Sequence, residues 1–354
     1  MKFPNQNTKM KKSLFLLTCL AALSLSAQNN PAVNQADTTR QQRATDKTLR
    51  DAQPGDAVPS LYEDENADVG PQTVLRAKKP AWLRASLDAQ ALYTDNMFFA
   101  ERDKQSAVLA VTSLEAALMT KPCVTSLASY RAEAGYRHQF FNYFGAKDVT
   151  VLDKATRLRA SDYDFNASTA FANVTAQTKH YSFGVGADYT RLLGFQPLRN
   201  HDYEEFYSEW VPRWSLQRNF AVCDKSMLSL VYLGSYHFTH EGAPPIAPST
   251  SKFARVSLNS DRSERWEHTF LAAYTVALPH HWVAQPFYRA QYNDFTQAHT
   301  YLIHTVGLST GWYPCANFSV RGYVGYNWSD ALGAKATEYT KLDAGAGLTA
   351  TLRF

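Results

Sequence analysis

The sequence predicts an all-β fold: a transmembrane, antiparallel, up-and-down β-barrel of about twelve strands. Three observations predict it. First, residues 341–354 alternate without a break. Leu342, Ala344, Ala346, Leu348, Ala350, Leu352 and Phe354 share one parity; Lys341, Asp343, Gly345, Gly347, Thr349, Thr351 and Arg353 share the other. Apolar against polar at period two is a strand wetted on one side only. Second, the 354 residues include 20 Tyr, 20 Phe and 7 Trp, yet beyond residue 27 no apolar run is long enough for a membrane helix. A closed barrel is the other structure that pairs every backbone polar group inside a bilayer. Third, the connections between alternating segments switch between short and long, apart from a short one near 296–298, and a soluble sandwich has no reason to sort its loops in this way.

A second stretch adds to the terminal strand. Ala91-Leu92-Tyr93-Thr94-Asp95-Asn96-Met97-Phe98-Phe99 closes the first predicted strand. Asp and Asn suit a turn at a barrel rim, because both accept backbone donors and tolerate left-handed backbone. Thr94-Asp95-Asn96, followed by Met97 and Phe98, is similar to the short motif that opens many β-barrel porins of uncharacterised function. The alternating strand that ends in Phe354 resembles the closing strand of bacterial outer-membrane β-barrel proteins. The resemblance implies residence in the bacterial outer membrane of a Gram-negative-type envelope, in contact with outer-membrane lipid. It implies insertion by the outer-membrane barrel assembly machinery, with Phe354 as the assembly signal, and a porin-like part in transport.

Taken in order, the chain starts with a secretory signal peptide at 1–27. Lys2, Lys9, Lys11 and Lys12 precede a short apolar stretch, and Ser24-Leu25-Ser26-Ala27 offers a small-residue cleavage site. Cys19 follows Leu16-Leu17-Thr18, a poor lipidation context. The full chain carries 36 Lys+Arg against 32 Asp+Glu; removing the four signal lysines leaves 32 against 32. The basic balance is therefore a targeting property, and it points to no nucleic acid or anionic partner. Residues 28–80 are rich in Gln, Asp, Thr, Asn and Pro and poor in aromatics. They read as a disordered periplasmic lead-in. A tether is one role for it; a plug tucked into the barrel, held by Tyr62, Val69, Val74 and Leu75, is the other.

Residues 81–354 form the barrel. Alternating segments fall at 82–95, 108–120, 125–141, 163–178, 181–194, 207–219, 226–239, 265–278, 281–295, 299–313, 317–329 and 341–354. The fourth is the least regular, since Phe165, Phe171 and Val174 do not share a parity. Short connections near 121–124, 179–180, 220–225, 279–280 and 314–317 belong on the periplasmic rim, and the longer ones belong outside. An even strand number puts both barrel ends on the periplasmic rim, so the last strand is expected to pair with 81–95. Cys123, Cys223 and Cys315 fall in short turns four strands apart. That is beyond the ~7 Å Cα limit for a bridge, so unbridged thiols are expected. Tyr93, Tyr136, Tyr236, Tyr292, Tyr326 and Trp328 form an outer aromatic band, and Trp82, Phe220, Trp282, Trp312 and Phe354 an inner one.

Parity also assigns the inner wall. Arg84, Asp88, Glu115, Arg131, Glu133, Arg137, Asp188, Glu209, Arg213, Glu267, Arg289, Arg321, Asp343 and Arg353 take the inward face as candidate pore-lining residues. A charge on the lipid face at mid-depth costs about 2–4 kcal/mol. The set is balanced in sign. It either pairs internally and fills the barrel, or lines a pore with opposed basic and acidic walls. Twelve strands at the usual tilt give a diameter of roughly 24 Å. Inward Gly135, Gly184, Gly186, Gly307, Gly311, Gly325, Gly345 and Gly347 are expected to leave space. Inward Tyr323 and Phe287 read as space-filling. The expectation is a narrow porin-like channel for passive passage of small polar solutes. The alternative is a non-conducting structural or surface-interaction barrel, whose long loops at 142–162 and 240–264 bind a partner.

Chemistry finds less support. A barrel phospholipase needs Ser, His and an orienting Asn or Asp. The His-x-Ser-Asn order is absent, His304 and Ser309 take opposite faces, and His237 and His240 show no Ser at the matching step. His201-Asp202-Tyr203-Glu204-Glu205 offers acids with one His, in a composition ordinary for a loop. No enzyme activity, cofactor or metal site is expected; an outer-membrane hydrolase is the alternative that stays open.

Overall fold

The computed structural model describes residues 82–97, 101, 104–145, 149–151, 156–158, 164–178, 181–195, 203–223, 225–241, 264–296, 300–315, 317–332 and 338–354. The signal segment 1–27, the lead 28–80 with its plug alternative, and most of the long loop at 240–264 lie outside the described residues, as does part of 142–162.

Twelve long strands follow one another: β1 Leu83–Thr94, β2 Ala107–Met119, β3 Ser129–Phe144, β4 Phe165–Gln177, β5 Tyr181–Phe195 and β6 Tyr203–Cys223. They continue as β7 Ser226–Glu241, β8 Arg265–Leu278, β9 Trp282–Phe295, β10 Thr300–Cys315, β11 Phe318–Leu332 and β12 Tyr339–Arg353. Each pairs antiparallel with the next, and β12 returns to β1. The sheet is therefore a closed barrel with no edge among these strands. The sequence places β6 at 207–219, but it runs to 21 residues. A hairpin of Val149–Val151 and Thr156–Leu158 adds structure within the connection between β3 and β4.

The seam between β1 and β12 is tied at three heights. Its register runs from Arg84 opposite Arg353 to Thr94 opposite Asp343. At the short-turn rim, Trp82 N–H donates to the Phe354 carbonyl at 2.8 Å, and Phe354 N–H donates to the Leu83 carbonyl at 3.0 Å. At the long-loop rim the Thr94-Asp95-Asn96 turn reaches over to β12. Leu342 N–H donates to Asp95 Oδ1 at 2.8 Å, and Asn96 Nδ2 donates to the Thr340 carbonyl at 3.0 Å. The third tie, at mid-height, is ionic and belongs to the inner wall.

Period two sorts the two faces. On β1 the exposed Leu87, Ala89, Ala91 and Tyr93 alternate with buried Asp88, Gln90, Leu92 and Thr94. Trp82, Tyr93, Tyr136, Trp282, Tyr326 and Phe354 are exposed on the outer face. Trp282 and Trp312 stack across β9 and β10 with centroids 6.2 Å apart. The irregular fourth segment resolves simply: Phe165 and Phe171 are buried inside, and Val174 is exposed outside. Two strand-interior prolines interrupt the ladder on one side each. The β6–β7 pairing skips Val211 and Pro212 opposite Tyr236 and His237, and the β8–β9 pairing skips Pro286. A proline has no N–H to give. Among the described residues no helix is long and apolar enough to cross a membrane.

Several inward glycines do not leave open space. A Cβ on Gly307 would lie 2.6 Å from the Phe287 ring and 2.6 Å from the Val324 carbonyl oxygen. Phe171 fills the equivalent space at Gly135, and Tyr313 at Gly311. The sequence reading of space is corrected at these positions: the missing side chain is replaced by a neighbouring ring. Gly307→Ala is therefore expected to destabilise the barrel by about 1–3 kcal/mol, because the backbone oxygen cannot step aside. Urea unfolding in lipid vesicles checks this; an unchanged midpoint would contradict it.

Candidate functional site

The inner wall encloses a cavity of about 500 Å³. Of the predicted inward charges, Arg84, Glu115, Glu133, Arg137, Asp188, Glu209, Arg213, Glu267, Arg289, Arg321 and Arg353 line it. The cavity runs obliquely. On β1, β11 and β12 it is bordered by Arg84, Ser319 and Arg353 near the short-turn rim; on β4 and β9 it climbs to Ala167 and Gln291. The other three charges sit beside it. Arg131 points a guanidinium nitrogen to Met119 Sδ at 3.1 Å. Asp88 and Asp343 are buried within polar clusters.

Charges pair locally and do not form opposed walls. Arg84 bridges Glu115 at 2.8 Å and Glu133 at 2.6 Å, and Arg137 lies 3.8 Å from Glu115. Arg213 meets Asp188 at 2.9 Å. Asp88, 1% exposed, accepts from Arg321 at 2.8 Å and from Thr349 at 2.5 Å, and Gln90 also donates to it. Asp343 accepts from Asn327 at 2.9 Å and lies 3.2 Å from Lys341 Nζ. Neighbouring strands bring these partners within reach, since inward side chains opposite one another sit about 4.5–5.5 Å apart at Cβ.

Two interior cations stand outside the set of predicted pore-lining charges, although Lys341 shares the polar parity of Asp343. Arg265 and Lys341 are buried, and they join the seven predicted arginines against the same seven carboxylates. Neither lines the cavity, whose wall carries six arginines against five carboxylates. Arg265 stands 3.7 Å from Glu267 and lies over the Phe295 ring.

Sequence reasoning missed an apolar cluster inside the barrel. Leu92, Leu109, Val111, Phe141, Tyr143, Phe165, Ala167 and Leu192 pack together from β1 to β5, at the long-loop ends of those strands. Phe141 and Phe165 stack with centroids 4.4 Å apart. Phe165 meets Phe206 edge-on at 6.2 Å. The cavity abuts this cluster at Ala167. Inward parity was the available signal, but these residues neighbour outward apolar ones, which erases the contrast between faces.

A last polar group spans β6 to β8. His237 Nδ1 lies 2.9 Å from Glu209 Oε2, and His237 Nε2 lies 3.2 Å from Ser235 Oγ. Tyr207 donates to Glu209 at 2.8 Å. As read from the sequence, no Ser follows His237 at the His-x-Ser step; Ser235 lies two residues before it, on the same face. Cys123, Cys223 and Cys315 are exposed and in no disulfide. Among the described residues no group of three His, Cys, Asp or Glu side chains is arranged to hold a metal ion.

No protein-family model matches the chain, and no curated protein matches it in sequence. Its fold has counterparts among solved structures. An outer membrane channel from Pseudomonas putida F1 superposes with a TM-score of 0.50 at 9% identity, covering 81% of this chain and all of that one. The β domain of the Bordetella autotransporter BrkA gives 0.45 at 8% identity, over 77% of this chain and 100% of that one. The KdgM porin gives 0.36 at 10% identity, over 75% and 98%. The first likeness establishes the fold. With its apolar outer wall, polar inner wall and closed seam, the chain is a barrel of the bacterial outer-membrane type.

Proposed function

We propose that the barrel is a narrow channel for passive passage of small polar solutes, its outer wall in contact with outer-membrane lipid. The observation that carries this reading is the cavity of about 500 Å³ walled by ion pairs and amides. A barrel filled by its own side chains would have no such volume. Paired charges hold water and polar groups without a net field strong enough to trap an ion, and the single surplus arginine of the cavity wall favours neutral or mildly anionic solutes. The apolar cluster of Phe141 and its neighbours is the restriction in the path.

The test is electrical. Purified barrel added to a planar lipid bilayer is expected to give small, discrete conductance steps with weak anion preference. Bilayers that stay sealed through repeated verified insertions would overturn the channel.

A further inference from the structure

We propose that Ser235, His237 and Glu209 form a hydrolytic triad inside the lumen, acting on short-chain carboxylic esters of polar alcohols that enter the cavity. This goes beyond passage of solutes, and it rests on side-chain geometry alone.

The three groups form one hydrogen-bonded chain. His237 Nδ1 faces Glu209 Oε2 at 2.9 Å. A carboxylate only accepts, so Nδ1 carries a proton, and in the neutral ring Nε2 then keeps its lone pair. That lone pair points to Ser235 Oγ at 3.2 Å. Nucleophile, base and orienting carboxylate are therefore in working order and tautomer. Burial is graded the same way. Glu209 and His237 are each 8% exposed, whereas Ser235 is only partly buried and borders the cavity. Tyr207, donating to Glu209 at 2.8 Å, fixes the carboxylate.

The surroundings suit the charges that such a reaction creates. Glu267 Oε2 stands 3.6 Å from His237 Nε2, beyond hydrogen-bond reach, so Ser235 Oγ is the nearer partner of that nitrogen. Arg265, 3.7 Å from Glu267, keeps that carboxylate from dominating the site. Arg213 is the register partner of Ser235 and also borders the cavity. Its guanidinium is held by Asp188 of β5 at 2.9 Å, so it supplies positive charge on the wall beside Ser235 rather than a direct contact to it. The β6–β7 ladder is interrupted beside His237 at Pro212, a local break in the wall where the triad sits.

The step balances as follows. Ser235 Oγ bonds to the ester carbonyl carbon, and its proton moves to His237 Nε2. The carbon–oxygen bond to the alcohol breaks, and that proton leaves with the alcohol. Water then attacks the acyl-serine carbon and gives a proton to His237. The acyl–Oγ bond breaks, and the proton returns to Ser235 as the carboxylic acid departs. Ester and water become acid and alcohol, with no other reactant. A cavity of about 500 Å³ lies in the range of small-molecule sites.

The experiment uses the folded full-length barrel in detergent and in vesicles, with 4-nitrophenyl acetate as substrate and a fluorophosphonate as covalent probe. Mass spectrometry is expected to place the phosphonyl group on Ser235. Ser235→Ala is expected to reduce hydrolysis to the uncatalysed rate and abolish labelling, while Ser229→Ala, on the same face of β7, changes neither. Glu209 acts through His237 as a positioning residue. Glu209→Gln is expected to lower kcat by about 10²–10⁴-fold and to displace the limb of the pH–rate profile that reports His237. No label on Ser235 in the folded wild-type barrel, or an undiminished rate in Ser235→Ala, overturns the triad. The wild-type labelling decides the matter even if a variant fails to fold. Sealed bilayers alongside intact hydrolysis in detergent would remove the channel and leave the triad.

Discussion

Asp88→Ala is expected to cost the barrel about 3–5 kcal/mol of unfolding free energy, the usual range for stripping one partner from a buried ion pair. Asp88 stands opposite Thr349 in the β1–β12 register, and its carboxylate also holds Arg321 of β11 at 2.8 Å. One carboxylate thus fastens three consecutive strands across the seam where the sheet closes. Removing it leaves the Arg321 guanidinium, 11% exposed, beside a hydroxyl alone. Asp88→Asn keeps an acceptor and is expected to lose less. Asp88→Ala combined with Arg321→Met is expected to recover much of the loss, because no unmatched charge remains. Urea titration of tryptophan fluorescence in lipid vesicles measures all three. A loss below about 1 kcal/mol for Asp88→Ala would mean that lumen water solvates Arg321 and that the seam does not rely on this pair.

Much of this architecture is legible in the sequence because the two faces of each strand meet different solvents. Where lipid lies outside and water inside, as along Leu87 to Tyr93 or Leu342 to Arg353, period two is unambiguous. The Thr94-Asp95-Asn96 turn is legible for a similar reason: short polar side chains at a rim have few uses other than holding backbone. The reading fails where both faces turn apolar. Val108-Leu109-Ala110-Val111 and Phe140-Phe141 send alternate residues to lipid and to the internal cluster, and no alternation survives to reveal it. Glycine misleads by the same route. A small residue signals space, but whether Phe287 or water takes that space is decided by a neighbouring strand. The Ser235–His237–Glu209 chain was hidden by register. Ser235 and His237 are two apart on one strand, yet Glu209 arrives from β6, 28 residues earlier.

Phe141→Ala is expected to enlarge the single-channel conductance and also to cost about 3–5 kcal/mol of stability. Phe141 is fully buried at 0% exposure, although Arg137 and Gln139 of the same strand border the polar cavity. It lies flat on Phe165 at 4.4 Å, and Phe165 in turn abuts Phe206. These rings come from β3, β4 and β6 and project inward at the long-loop end, where the polar cavity gives out at Ala167. Truncation removes the central ring, and the groups around it cannot close the gap, since each is held by the backbone of a closed barrel. Gln139, two residues away on the same face, and Ala167 of the cluster both border the polar cavity, so on the proposed channel reading the vacated volume widens the path beside them. Phe141→Leu keeps most of the volume and is expected to leave conductance near the wild-type value, which separates widening from general loosening. Planar bilayer recordings on the three proteins decide the point. Equal step sizes in wild type and Phe141→Ala would place the restriction elsewhere. In that event the cluster acts as a small hydrophobic core set inside the barrel, bracing β1 to β5 against one another.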